Sequence, residues 1–396
     1  MTSVTYVVPR YGEEVVGGAE SASRTLAEAL AARGVEVSVI TTTARDYSTW
    51  APHYQAGESV LNGVRIERFD VDRERPSNFD RHYRRLLAHP KTADYEEAKA
   101  LIWDQGPDSR RLLEAISQIE DGVVVFYPYL YLPTVEGVAL TSRPKIMHPA
   151  AHDEAIIDLP LFPQVFTGID GIVYQTRAER GFVEGRFKVG HIPSVDLGMG
   201  VPELTEVVGE ISDRVRSAVS GRFILTLGRL DRMKGSKMAA HFFESALDVI
   251  PSDLRLVFAG PIAESFEVGE RVVLLDRVSE VERQLLLQRC EFLLSPSFHE
   301  SFGLVILEAW QFGKAVLVNK GCEATAELVA KSGGGVLFED FGSFVAAISV
   351  LTEDGELRGQ LGQLGKAYGE DRYQLSRVID RYLDFIDIVS SSHRDN

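Results

Sequence analysis

Two carboxylates, Glu300 and Glu308, stand eight positions apart in the run His299-Glu300-Ser301-Phe302-Gly303-Leu304-Val305-Ile306-Leu307-Glu308. The run ahead of them, Cys290 to Ser297, reads as a buried strand closed by turn residues. The run after Gly303 is a good helix former that ends near Gly313, where glycine suits a C-terminal cap. A strand-loop-helix turn of this kind leaves the backbone N–H groups around Phe302, Gly303 and Leu304 free at the positive end of the helix dipole. Such a turn suits a phosphate group. Gly303 has no side chain to keep a ligand from the backbone. The two carboxylates suit the hydroxyls of a sugar or a ribose. The competing reading is one loop acid and one solvated helix acid.

A second segment supplies cations. Phe223 to Gly235 reads as a strand running through Gly228-Arg229-Leu230-Asp231-Arg232-Met233-Lys234 into a helix. Arg229 can fork onto phosphate oxygens, and Lys234 adds a mobile point charge. Taken alone they read as surface charges. Set about seventy residues before the Glu/Gly helix start, they read as the other half of a diphosphate clamp.

The elements that must position these residues form two α/β units. Strands are expected at Val4–Pro9, Glu36–Ile40, Val123–Tyr127, Lys145–Met147 and Gly171–Gln175. After a linker near Asp196–Gly209 the alternation repeats at Phe223–Leu227, Leu254–Ala259, Val272–Leu275, Phe292–Ser295 and Ala315–Val318. A helix from about Ala19 to Arg33, capped by Gly34, makes the first β-loop-α-β order. That order implies a parallel, doubly wound sheet with ligands at the carboxyl ends of its strands. A closing segment with Leu375, Val378, Ile379, Tyr382, Leu383, Ile386 and Val389 keeps helical spacing on one face.

Gly-Arg-Leu-x3-Lys-Gly followed by Glu-Ser-Phe-Gly-Leu-x3-Glu resembles the pattern of the retaining, nucleotide-sugar-dependent glycosyltransferases of family four. The likeness continues in Arg10 to Glu20, in His152-Asp153-Glu154, in Ile192-Pro193-Ser194-Val195-Asp196 and in Ser332 to Phe338. It spans nearly the whole chain, with the paired loops of the second half its most specific part. The resemblance implies a GT-B fold of two Rossmann-like domains facing across a cleft. Residues 1–195 with a returning helix at 375–396 would form the acceptor side, and 196–374 the donor side. It implies transfer of a sugar from a nucleotide diphosphate donor to a hydroxyl acceptor, without a metal. Donor binding would fall to Gly17, Gly18, Arg229, Lys234, Glu300, Ser301, Phe302, Gly303, Leu304 and Glu308. His152, Arg229, Lys234 and Glu300 would serve the chemistry. By the same resemblance, Glu308 takes the ribose hydroxyls and Glu300 the donor sugar. A nucleotide-sugar epimerase on the same scaffold and an inactive sugar-nucleotide-binding partner protein are the alternatives.

The remaining motifs are weaker. Gly17-Gly18 lacks the Gly-x-Gly-x-x-Gly spacing of a dinucleotide site, which counts against a dehydrogenase. His148 and His152 lie four apart, but Pro149 and the lack of a third ligand argue against zinc. Asp153 is positioned either to hold His152 or to cap the next turn. Arg81, Arg84 and Arg85 with Leu86 and Leu87 suggest a membrane or phosphate patch or, against Asp94, Glu96 and Glu97, a solvated helix face. Tyr127, Tyr129 and Tyr131 alternate as a sugar-stacking surface or as packing. Asp70-Val71-Asp72 reads as strand edge.

Composition agrees. At 396 residues two domains are the natural prior. The excess of 58 acidic over 42 basic residues, net −16, argues against a nucleic-acid partner. Two cysteines fit a reducing cytoplasm better than a disulfide framework. No apolar stretch reaches the length of a membrane span, which leaves peripheral contact with the inner membrane face open.

Overall fold

Short apolar runs alternating with helices build two parallel sheets in the computed structural model, which describes residues 3–15, 17–205, 207–300 and 302–394. The chain divides into one unit of Met1–Gly200 with Val378–Asn396 and a second of Val201–Arg377. The division thus falls between Gly200 and Val201 rather than at 195/196.

The first unit carries β1 (Val4–Val7), β2 (Val37–Thr42), β3 (Gly57–Leu61), β4 (Val64–Phe69), β5 (Val123–Phe126), β6 (Lys145–Met147), β7 (Gly171–Tyr174) and β8 (Ser194–Asp196). Its helices are α1 (Gly18–Ala32), α2 (Phe79–Leu87), α3 (Tyr95–Gln105), α4 (Arg110–Ser117), α5 (Leu132–Leu140), α6 (Phe162–Thr167) and α7 (Arg177–Glu184). The sheet order is β3-β4-β2-β1-β5-β6-β7-β8, parallel except for β3 on β4. All four residues of β5 are buried, as expected of a central parallel strand covered on both faces. β8 pairs with β7, so Asp196, expected at the head of the linker, instead ends a strand.

The second unit carries β9 (Phe223–Leu227), β10 (Arg255–Ala259), β11 (Val272–Leu274), β12 (Leu293–Ser295), β13 (Val316–Asn319) and β14 (Gly335–Phe338). Its helices are α8 (Asp213–Ala218), α9 (Ser236–Ser245), α10 (Glu280–Arg289), α11 (Leu304–Gln311), α12 (Glu323–Ser332), α13 (Phe341–Glu353) and α14 (Gly355–Tyr373). The order β11-β10-β9-β12-β13-β14 reverses direction between β9 and β12. Ligands of open α/β sheets bind at such a switch point, beyond the carboxyl ends of the strands. The expected strand at Cys290 starts later: Cys290 closes α10, and only Leu293–Ser295 pair as β12.

The last helix, α15 (Leu375–Arg394), packs onto the first unit from Val378 onward. Val378, Ile379, Tyr382, Ile386 and Val389 are buried along one face. The Tyr382 hydroxyl lies 2.8 Å from His148 Nε2 and 3.4 Å from the Tyr6 hydroxyl. Gly171 on β7 makes room for this helix, since a Cβ there would sit 2.5 Å from Val389.

Candidate active site

The loops after β9 and β12 meet beside the switch point of the second sheet. β9 is followed by Gly228, whose φ of 126° is a conformation for glycine, and the loop closes at Gly235, left-handed at φ 68° and the N-cap of α9. A Cβ on Gly235 would run into the backbone carbonyl of Pro296 in the β12 loop, so the two loops touch there backbone to backbone. Phe298 N–H donates to the Met233 carbonyl at 3.1 Å, a second tie between them.

Across this junction Lys234 Nζ donates to Glu300 Oε1 at 2.6 Å, and the Ser297 hydroxyl donates to the same oxygen at 2.7 Å. Asp231 organises the cationic side: Oδ1 accepts from the Lys234 backbone N–H at 2.8 Å and Oδ2 from Arg229 Nε. Burial raises the Asp231 carboxyl, but the bonds from the Lys234 N–H and from Arg229 outweigh it, and the net shift is downward. Arg229 remains 53% exposed, fixed at its Nε while its outer guanidinium faces water. Asp231 is absent from the sequence-derived site. Its position two residues after Arg229 and three before Lys234 was the available signal.

α11 begins after Gly303, which is left-handed at φ 100°. Among the described residues nothing accepts a hydrogen bond from the N–H groups of Phe302, Gly303 or Leu304. That is the condition for an anion site at a helix start. Ser301 lies outside the described residues.

Glu308, in the second turn of α11, is not a solvated helix acid. Its side chain is 18% exposed and pairs closely with Arg283 of α10. Burial raises its carboxyl; Arg283 pulls it back without cancelling the shift. Arg283 is also missing from the sequence-derived site. A cavity of about 320 Å³ lies beside the same helix, lined by Leu307, Gln311, Lys366 and Tyr373, and includes none of the charged loop residues.

In the first unit Gly17 precedes α1 and Gly18 opens it. A Cβ on Gly17 would overlap the Glu20 carboxylate, which is held in a buried ion pair with Arg10. His152 is 43% exposed, with Nε2 3.8 Å from Glu154 Oε2. Glu154 also accepts from the Tyr129 hydroxyl at 2.8 Å. The carboxylate beside His152 is therefore Glu154; Asp153 instead pairs with Arg186 at 3.2 Å. The backbone ahead of His152 is held by Glu179, fully enclosed at the start of α7. Its Oε1 accepts from Ala151 N–H at 2.8 Å and its Oε2 from Gln175 N–H at 2.6 Å.

The other motifs are structural. Tyr127 and Tyr129 are buried, and His148 stacks on Tyr127 in the core. Burial depresses the His148 imidazole to about 3. Arg85 pairs with Glu97 on a solvated face of α2. Asp72 lies past β4 rather than on its edge, where it accepts from the Arg110 N–H at the start of α4. Among the described residues no group of three or more His, Cys, Asp or Glu side chains is placed to hold a metal ion.

Residues 209–368, the segment carrying both charged loops, match the family model for glycosyl transferases group 1. That segment belongs to the family. The chain is 24% identical over 382 residues to D-inositol 3-phosphate glycosyltransferase of Paenarthrobacter aurescens, covering 89% of each chain. Over 106 residues it is 32% identical to N,N'-diacetylbacillosaminyl-diphospho-undecaprenol alpha-1,3-N-acetylgalactosaminyltransferase of Campylobacter jejuni. That stretch is 26% of this chain and spans about a quarter of the relative, 28% of its length. Sucrose-phosphate synthase from Thermosynechococcus elongatus superposes with a TM-score of 0.71 at 16% identity, covering 99% of this chain and 100% of that one. Two Rossmann-like units of the GT-B type are thus the fold of this chain.

Proposed function

We propose that this protein is a glycosyltransferase that moves a sugar from a nucleotide diphosphate donor to a hydroxyl acceptor with retention of configuration and without a metal. The observation that carries the reading is the junction of Lys234, Glu300, Ser297, Asp231 and Arg229 at the switch point between β9 and β12. Arg229 and Lys234 hold the charge that develops on the leaving diphosphate, with the N–H groups at the start of α11 adding to it. Fixed donors aimed at developing charge are an electrostatic contribution of the oxyanion-hole kind. Glu300 contacts the donor sugar and Glu308 the ribose hydroxyls. His152 approaches the transferred sugar or the acceptor, where an imidazole can orient a hydroxyl. Retention is inferred from the resemblance of the Glu pair and Lys234 to family four. A cytoplasmic location is inferred from two buried free cysteines, and no helix among the described residues is long and apolar enough to cross a membrane.

The test begins with a thermal-shift screen of nucleoside diphosphates in EDTA, since a ligand that binds only the folded state raises its melting temperature. Arg229→Ala and Lys234→Ala should each lower turnover with the matching donor by roughly 10²–10³ while the fold survives. Near-normal turnover in both variants would remove the clamp. Loss of activity in EDTA with rescue by manganese or magnesium would remove the metal-independent part. Absence of turnover across a wide acceptor panel, with tight diphosphate binding, would favour the inactive partner protein.

A further inference from the structure

We propose that Arg283 is a positioning residue for donor binding: it holds Glu308 ionised and in place to receive the ribose. The inference rests on the reading that Glu308 takes ribose hydroxyls. Neither the family match nor the sequence pattern assigns a role to Arg283.

The argument starts from the surroundings of Glu308. It sits on an apolar helix with Ile306, Leu307 and Ala309 buried around it, so its charge needs a local partner. Arg283 Nη2 supplies that partner at Oε2, while among the described residues nothing donates to Oε1. One oxygen is therefore anchored and the other is left to accept. The guanidinium is fixed in turn. Arg283 Nη1 lies 3.7 Å from Glu280 Oε2, one turn back on α10. The start of α10 is locked by a capping box in which Ser279 and Glu282 bond reciprocally, and Ser212 donates to Glu282 from both its N–H at 2.9 Å and its hydroxyl at 2.5 Å. The charged groups that act on the Glu308 carboxyl are Arg283 and, opposing it, Glu280. On α14, Lys366 and Glu370 pair with each other. Without Arg283, a carboxyl already raised by burial loses its one cation and takes up a proton closer to neutral pH.

The full chain is titrated calorimetrically with uridine, guanosine or adenosine diphosphate, whichever binds wild type. Four proteins are compared: wild type, Glu308→Gln, Arg283→Met and Arg283→Lys. Because the diphosphate itself titrates, affinities are read as ratios to wild type at each pH. Glu308→Gln should bind more weakly by the same ratio at every pH. Arg283→Met should approach wild type near pH 8 and lose affinity by up to about tenfold per pH unit toward about pH 6, as Glu308 protonates. Arg283→Lys should restore most of the flat profile, and it keeps the test usable if Arg283→Met folds poorly. A pH-independent ratio for Arg283→Met, alongside weakened binding by Glu308→Gln, would overturn the role of Arg283 alone. Unchanged binding by Glu308→Gln would overturn the ribose assignment from which the proposal starts.

Discussion

Glu179 shows how one buried side chain can govern an exposed one. It is out of solvent, its two oxygens take the N–H groups of Ala151 and Gln175, and His152 follows directly in the chain. The pattern Thr176-x-x-Glu179 reads in the sequence as a helix start, and Thr176 does accept from the Glu179 N–H at 3.0 Å. The use of the carboxylate on a distant loop is not in that pattern, because it depends on which strand end lies beside α7. Burial pushes the Glu179 carboxyl up to about 7 from an ordinary 4.5, against the pull of its backbone donors. The folded state therefore binds this proton more tightly than the unfolded chain. Its contribution to stability is complete below about pH 4.5 and is lost as the pH rises through about 7. Glu179→Gln has no such proton. The melting temperature of the variant relative to wild type should rise between about pH 5 and about pH 8. A difference that stays constant with pH would mean that the carboxyl titrates normally. At the residue scale the sequence put Arg229, Lys234 and Glu300 in neighbouring loops, and the structure brings Lys234 onto Glu300 with Arg229 tied beside them through Asp231. The site was illegible where a partner comes from another element, as with Arg283 for Glu308 and Arg186 for Asp153.

At the scale of elements, backbone contact between loops does the positioning. Gly235 joins the β9 loop to the β12 loop through the Pro296 carbonyl and also carries the left-handed turn into α9. Gly235→Ala should destabilise by more than about 1 kcal/mol, because both the positive φ and the missing space oppose a Cβ. Gly18→Ala is the control: it lies in the first turn of α1 with nothing within 4 Å of an added Cβ. It should be neutral or stabilise by about 0.4–1 kcal/mol. Denaturant melts of the two variants check this, and equal effects would refute the packing argument. The strands of both sheet centres were legible because parallel strands covered on two faces are continuous apolar runs. The β3–β4 hairpin is absent from the sequence-derived strands although Asn62-Gly63 marks its turn, with φ of 49° and 82°. The signal was present; the flanking run of β3 is exposed and does not read as apolar. β8 is masked by Pro193 and Asp196, and only its pairing with β7 makes it a strand.

At the scale of the molecule, the first unit is built from both ends of the chain. Tyr382 of α15 bonds to His148, and Val389 closes over Gly171, so the last helix covers part of the sheet of that unit around β6 and β7. A chain ending at Arg377 should lose the unfolding transition of the first unit while the second unit keeps its own. Calorimetry with hydrogen exchange assigned to each unit reads the outcome, and two intact transitions would show that α15 is dispensable. The same arrangement sets an order of events at the ribosome. Domains usually fold from the N-terminus as they emerge, at about 5–20 residues per second. Here the 177 residues from Val201 to Arg377 are made between Gly200 and the segment that completes the first unit. That interval lasts roughly 10–35 s at those rates. The half that begins first must wait with the surface beneath α15 uncovered, and the half that carries the charged loops after β9 and β12 can finish before it. A nascent chain stalled in that window is where a chaperone would find the most to hold.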